Sequence, residues 1–318
     1  MRRTTLLLAS IAVFALQTAW VVYTQTAKPP GPLRIEKIKD RLFMISGEGG
    51  NVAVDVTSEG VVLVDDMFDR NHADILDQVR MVTDRPLKYV INTHQHDDHA
   101  GGDTKMLPIA EVIAHKNVRA NLEHIKQPYY EDTPGTPIGL PRVTFSDEMS
   151  VFLGGKEVQA RYFGRGHTSG DAVVYFPDQK AIHTGDLFLT FGRVPSSPPV
   201  NPSVKFPGLG VYVDYAQGGS FFAWTRTLDG VLALDFDTVI PGHGPVTTKA
   251  ELLRFRADLE AMQRRLASIV KEGKTKDDLV NALEADYGWR AKGCPPSPPT
   301  PGCLQFQQSA ALYAELKE

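Results

Sequence analysis

One short stretch of this sequence concentrates side chains that bind cations. Asn92-Thr-His-Gln-His-Asp-Asp-His99 places three histidines and two aspartates within positions 94–99, directly after the apolar run Leu87–Ile91. Imidazole nitrogens and carboxylate oxygens are the ligands zinc takes where thiolates are absent. In a turn, His94 and His96 point the same way, to one ion, and Asp98 and His99 then face a neighbouring ion. Gly101-Gly102 let the backbone turn sharply beside them. Two protein ligands per ion are too few, because a catalytic zinc normally holds three plus water. Three other turns can complete the set. Gly164-Arg-Gly-His-Thr-Ser-Gly170 carries His167, His183-Thr-Gly-Asp186 carries Asp186, and Pro241-Gly-His-Gly-Pro245 carries His243.

Each of these turns adjoins a strand-like run, the usual place for a site grafted onto a sheet. Taken singly, a loop histidine is most often a solvated side chain. Taken with the 94–99 cluster, His167 and His243 close the ligand count. His183 sits inside a strand pattern and reads as a structural or supporting residue rather than a ligand. His72, His115 and His124 fall on helix-like segments and carry no chemistry in this reading. Asp65 and Asp66 end the buried run Gly60–Val64; they read as turn formers or as carboxylates that hold a ligand in place.

The elements that must position these residues follow from periodicity. Short strands are expected across 33–65, at Leu87–Ile91 and at Glu111–Ala114, with helices over 72–82 and 116–126. Ile75, Leu76 and Val79 should share the buried face of the first helix. A second strand-rich half runs from about 142 to 185, followed by a helix over 220–230 and a strand at Thr238–Ile240. Strands with helices in each half imply sheets packed between helices. The strongest helix signal covers 248–272, with a Thr248/Glu251 capping box, an apolar stripe from Leu252 to Ile269, and Gly273 as a stop. A second helix starts at Thr275, with Leu279, Val280 and Leu283 inward. The loops 127–141, with Tyr129 and Tyr130, and 190–222, with Phe191, Phe206, Tyr212 and Tyr215, are longer than a connection needs. Their aromatics either border a substrate pocket or pack over the C-terminal helices. Arg193 could pair a substrate carboxylate.

The ends of the chain and its composition set the context. Arg2 and Arg3 precede an apolar run from Leu6 to about Val22, and a Lys28-Pro-Pro-Gly-Pro32 linker follows. Residues 1–27 are therefore expected to be a secretory signal peptide or an uncleaved N-terminal anchor. The protein is then exported, periplasmic or secreted, and touches a membrane only through that anchor. Residues 28–247 are expected to form the main domain and 248–318 a C-terminal helical extension. Cys294 and Cys303 bracket a proline-rich octet and are expected to pair in an oxidising compartment. With 42% hydrophobic and 23% charged residues and a net charge of -4, the chain of 318 residues is globular and lacks the basic balance of a nucleic-acid binder. A small-molecule substrate is expected instead.

The composite pattern His94-x-His96-x-Asp98-His99, then His167, Asp186 and His243, closely resembles the metallo-β-lactamase superfamily over roughly residues 33–248. The resemblance implies an α/β fold, a four-layer αβ/βα sandwich with two zinc ions at one edge; iron and manganese also suit such ligands. It implies that His94, His96 and His167 hold the first ion, that Asp98, His99 and His243 hold the second, and that Asp186 bridges them. Asp65 matches the family's strand-end aspartate. Asp186 is not the cysteine of some β-lactamases, His94 is not the asparagine of the one-zinc carbapenemases, and His96 is not the glutamate of flavodiiron proteins. The bridging aspartate instead resembles glyoxalase II and acyl-homoserine lactonases.

The implied activity is hydrolysis of an ester, lactone, thioester or amide by a hydroxide shared between the metals, with Asp98 orienting it and relaying its proton. Alternatives are a β-lactamase of the all-histidine type and a mononuclear iron-dependent dioxygenase on the same fold. A mere binding role is disfavoured because all seven ligands are present.

Overall fold

A computed structural model describes residues 32–125, 138–190, 211–287 and 309–318. The expected signal or anchor segment, the Tyr129/Tyr130 loop, Phe191, Arg193, Phe206 and the Cys294/Cys303 pair lie outside the described residues. Thirteen strands among the described residues form two sheets. The first runs in sequence order through β1 (Arg34–Lys37), β2 (Leu42–Ser46), β3 (Val52–Val56), β4 (Val61–Val64), β5 (Leu87–Asn92), β6 (Glu111–His115) and β7 (Val143–Phe145). Its first four strands pair antiparallel, and β4 to β7 pair parallel. The second sheet comprises β8 (Glu148–Leu153), β9 (Lys156–Tyr162), β10 (Ala172–Phe176), β11 (Ala181–His183), β12 (Thr238–Ile240) and β13 (Thr247–Thr248), ordered β13-β12-β11-β10-β9-β8. Only β11 and β12 are parallel there.

Side chains alternate across each strand, so a run that is apolar throughout is a strand buried on both faces. Val62 and Val64 enter the core between the sheets, against Val174, Phe176 and Ile240. Their neighbours Val61 and Leu63 pack outward with Ile75, Val79 and Met106. These outer residues belong to α1 (His72–Arg80) and α3 (Asp103–Met106), while α2 (Asp97–Ala100) lies in the ligand turn and α4 (Lys116–His124) follows β6. On the second sheet Val173 and Tyr175 face the other way, into a layer with Trp224, Leu228, Phe255 and Leu259. That layer is built by α5 (Ala223–Leu232), α6 (Lys249–Lys271), α7 (Lys276–Tyr287) and α8 (Ser309–Glu315). The result is the α/β four-layer sandwich with C-terminal helices, and both sheets present the C-terminal ends of β5, β11 and β12 at one edge.

Thr248 caps α6 by accepting the Glu251 N–H, and Gly273 ends the helix at φ 75°. Some details differ from the sequence expectation. Val143–Phe145 pairs with β6 and so completes the first sheet, with Phe145 in the inter-sheet core. Sheet membership is decided by pairing partners, which a three-residue strand does not advertise. Leu76 and Val280 are only half-buried, because Ile75/Val79 and Leu279/Leu283 already fill the narrow contact stripes. Among the described residues no helix is long and apolar enough to cross a membrane.

Candidate metal centre

The seven residues singled out by type and spacing meet at the shared edge. His94 and His96 follow β5, Asp98 and His99 lie in α2, and His167 sits in the turn before β10. Asp186 lies in the 3₁₀ turn after β11, and His243 follows β12. His94, His96, His167 and Asp186 form one group of ligand atoms, and Asp98, His99 and His243 a second, with all atoms within each group no more than 4.8 Å apart. Within the first, His96 Nδ1 lies 3.1 Å from His94 Nε2 and 2.9 Å from His167 Nε2. In the second, His243 Nε2 lies 3.2 Å from His99 Nε2 and 3.1 Å from Asp98 Oδ2. Asp186 spans both groups. Its Oδ1 is 3.1 Å from His99 Nε2 and 3.5 Å from His243 Nε2, and its Oδ2 is 3.6 Å from His167 Nε2.

Whether a metal suits these residues can be decided from the outer sides of the rings. Neutral imidazole donates from one nitrogen only, so the partner of the outer nitrogen fixes which lone pair faces inward. His99 Nδ1 donates to Asp65 Oδ2 at 2.7 Å, leaving Nε2 as a lone pair toward Asp186 and His243. The Thr93 hydroxyl donates to Asp65 Oδ2 at 2.8 Å and can then accept from His94 Nδ1 at 3.1 Å. One buried carboxylate thus sets two tautomers. His167 Nδ1 donates to the Tyr212 carbonyl at 2.7 Å. His96 is turned the other way, with Nε2 donating to Asp214 Oδ2 at 2.9 Å and Nδ1 inward. Four inward lone pairs converge with two carboxylates, and Asp186 Oδ1 is buried without a hydrogen-bond donor. Such a gathering of acceptors is costly unless a cation fills it, either a metal or protons taken up by the rings. Nitrogen and carboxylate oxygen suit zinc, whose bonds to them of about 2.0–2.2 Å put neighbouring ligand atoms at the separations seen here.

The electrostatics agree. Burial, reinforced by neighbouring imidazoles, holds His94 well below the usual range and His167 at about 4. Burial opposes a charge on His99 too, but the Asp186, Asp98 and Asp65 carboxylates outweigh it and hold His99 well above the usual range. Asp186 and Asp98 likewise raise His243 against its burial. Burial works against charge on Asp98 and Asp186, yet the imidazoles of His99 and His243 hold both carboxyls below the usual range. The cluster thus demands positive charge at its centre, which a divalent ion supplies directly.

The backbone is shaped to this purpose. Asp65 takes φ 65°, left-handed for a non-glycine residue, and there accepts the Thr93 N–H at 2.7 Å as well. Asn51 spans the two halves, donating to the Pro241 and Gly244 carbonyls at 2.9 and 2.8 Å on either side of His243. A Cβ on Gly242 would come within 2.0 Å of Asp186 Oδ1, so only glycine fits there. Asp171 ties the His167 turn by accepting from Gly166 N and Thr168 N and Oγ1; burial raises its carboxyl to about 7 despite those bonds.

His183 is fully buried and both its ring nitrogens are engaged with backbone, Nε2 donating to the Asn51 carbonyl at 2.9 Å and Nδ1 accepting the Gly185 N–H at 3.1 Å. His115 caps α4 and stacks on Tyr162, and neither His72 nor His124 approaches the cluster. Of the described aromatics, Tyr212 borders the site, its ring centroid 6.1 Å from that of His96, whereas Tyr215 turns to the C-terminal helices. Asp214, Asp171 and Asn51 were not anticipated. Only Asp214 left a trace, as an acidic residue in a loop noted for its aromatics.

Solvent reaches part of the cluster. His94, His99 and His167 are at most 1% exposed, whereas the side chains of His96, Asp98 and His243 are 18%, 25% and 13% exposed. Each group therefore has at least one member that solvent reaches.

Comparison with known proteins agrees with this architecture. The model of the metallo-beta-lactamase superfamily matches residues 46–243, more than half of the chain. A metallo-beta-lactamase type 2 of Elizabethkingia meningoseptica is 28% identical over 163 residues, 48% of this chain and 61% of that relative, so the match leaves over a third of the relative unspanned. A metallo-beta-lactamase type 2 of Bacillus sp. (strain 170) is 28% identical over 201 residues, covering 62% of this chain and 67% of the relative. The solved metallo-beta-lactamase from Pontibacter korlensis superposes with a TM-score of 0.56 at 21% identity, over 72% of this chain and 99% of that one, a likeness of fold. With the matched residues running from β2 to the turn that carries His243, the chain belongs to the metallo-beta-lactamase superfamily.

Proposed function

We propose that the protein is a dinuclear zinc hydrolase acting on a small carbonyl substrate: an ester, lactone, thioester or amide. The observation that carries this reading is the pair of ligand groups sharing Asp186, each with a member that solvent reaches. Zinc held there would supply Lewis acidity toward a carbonyl oxygen and a water acidic enough to ionise near pH 7. His94, His96 and His167 would hold one ion, Asp98, His99 and His243 the other, with Asp186 between them.

The chain's own contribution is orientation and proton handling. Asp65, Thr93, Asp214 and the Tyr212 carbonyl hold the rings so that no reorganisation is needed when substrate arrives. Asp98 stands at the mouth, charged and partly exposed, where it can orient the attacking water, accept its proton and pass that proton to the leaving group. Tyr212 offers an apolar wall beside His96.

The names of the two relatives favour one member of the substrate class, the cyclic amide of a β-lactam. Export, read from the basic and then apolar N-terminus, would place the enzyme in the periplasm or outside the cell, anchored if the segment is uncleaved. The reading is tested by metal analysis together with chromogenic esters, lactones, thioesters and cephalosporins. Two metals per chain and hydrolysis of at least one class are expected; a single iron with oxygen consumption, or metal without hydrolysis, overturns it. Replacing Asp98 by Ala should lower kcat by on the order of 10²–10⁴-fold. Near-native turnover by that variant would remove Asp98 from proton transfer.

A further inference from the structure

The wall of the site that carries Asp214 is tied to the far end of the chain. Segment 212–222 faces the cluster on one side, through the Tyr212 carbonyl on His167 and the Asp214 carboxylate on His96. One residue on, Tyr215 points the other way and donates its phenol to Glu315 Oε2 at 2.6 Å. The same carboxylate accepts the Ser220 hydroxyl at 2.5 Å and the N–H groups of Phe221 and Phe222 at 3.0 and 3.3 Å. Four donors, two of them N–H groups at the start of α5 with no partner inside that helix, converge on one side chain. Glu315 is delivered by α8, which is seated by Leu312 and Leu316 in the outer apolar layer and by Tyr313 donating to the Lys274 carbonyl at 2.8 Å. It lies well beyond the residues that the family model matches.

We propose that Glu315 is a positioning residue for the metal centre: by clamping segment 212–222 it keeps Asp214 and the Tyr212 carbonyl aimed at His96 and His167, so that the C-terminal helix is part of the metal-binding machinery. This rests on the metal-centre reading above. Asp214 and Tyr215 are adjacent, so a shift of the phenol displaces the carboxylate. Gln217 braces Asp214 locally, through Nε2 to Oδ2 at 2.9 Å, but Gln217 sits in the same segment and moves with it. Glu315 fixes this segment to the C-terminal helix, alongside Gln263 of α6, which donates to the Phe221 carbonyl, and Asn121 of α4, which donates to the Gln217 carbonyl. Replacing it by glutamine puts an NH₂ donor among four donors, breaking the clamp with almost no change of shape.

The test uses the full chain. Zinc affinity is measured by competition with a chromophoric chelator, and the cobalt-substituted protein is followed by its visible absorption. Asp214→Asn should weaken zinc binding by roughly 10–100-fold, as for other residues that orient metal ligands. Glu315→Gln, which acts one step further out, should weaken it less, by roughly 3- to 10-fold, and shift the cobalt bands in the same direction as Asp214→Asn. Tyr215→Phe should do the same to a smaller extent. Leu266→Ala, a packing change in the same helical layer, should lower Tm but leave affinity and spectrum at wild type. If Glu315→Gln and Tyr215→Phe lower only Tm, with wild-type affinity and spectrum, the clamp is overturned while the metal centre stands. If the wild-type protein retains no metal, the metal-centre reading falls, and the clamp falls with it.

Discussion

The two ends of the sandwich solve the same problem in opposite ways. β3 and β10 each begin at the metal edge, beside Asn51 and the His167 turn, and each ends beside a carboxylate at the other edge. There Asp55, fully buried, meets Arg41 Nε at 3.0 Å, and Asp178 takes Arg41 Nη1 at 2.9 Å and Lys156 Nζ at 3.3 Å. The chain supplies its own cations at that edge. At the metal edge Asp98 and Asp186 are paired, among the described residues, with imidazoles alone. Imidazole is a weak and conditional cation, and these rings aim lone pairs inward. A carboxylate beside Arg meets a permanent cation of the chain itself; a carboxylate faced by imidazole lone pairs is a ligand for a metal. Residue type around the acid, rather than burial of the acid, separates structure from chemistry here.

Substitutions at the two ends should therefore fail differently. The largest contrast is expected between Asp186→Asn and Asp178→Asn. The first should reduce bound metal from two ions toward one and lower kcat by orders of magnitude, with little change in fold. The second should leave metal content and turnover intact and cost about 1 kcal/mol or less, because its partners are partly exposed. Metal analysis and denaturant unfolding of the pair separate these outcomes. A smaller effect is expected for Asp65→Asn, which loses the acceptor that sets the His99 and His94 tautomers. Zinc affinity should fall by roughly 10–100-fold. Unchanged affinity would mean that the rings are held by packing alone.

A further effect lies at the opposite end and depends on pH. Burial raises the Asp55 carboxyl to about 6, against the lowering influence of Arg41. A carboxyl whose folded pKa is raised binds a proton on folding, so its contribution to stability is greatest below the unfolded value near 4. It is lost as pH climbs through 6. Wild type should therefore lose up to about 3 kcal/mol between pH 4 and pH 7 from this group, and Asp55→Asn should flatten that slope. Parallel slopes in denaturant unfolding at several pH values would show that Asp55 stays ionised throughout.

How much of this was legible in the sequence follows from the same contrast. Residues able to hold a metal come from few types, and here they follow strand ends, so His94, His96, Asp98, His99, His167, Asp186 and His243 could be picked out as candidates and the layers around them inferred. The groups that aim those ligands carry no such mark. Tyr212 contributes a carbonyl that any residue could offer, and Asp214 makes one decisive bond from within a loop. Glu315 reaches the segment beside it from the last helix, across a separation that no local pattern reports. Asp55 was equally hidden. Its strand reads Val-Ala-Val-Asp-Val, and only the structure reveals Arg41 beside the acid.

The central claim is that the metal edge holds two ions at fixed places. Anomalous X-ray scattering from crystals of the zinc-loaded protein tests it most directly. The account predicts two peaks, one enclosed by His94, His96 and His167 and the other by Asp98, His99 and His243, with Asp186 between them. A metal-free edge in crystals grown with excess zinc, or a peak located anywhere else on the chain, would contradict it.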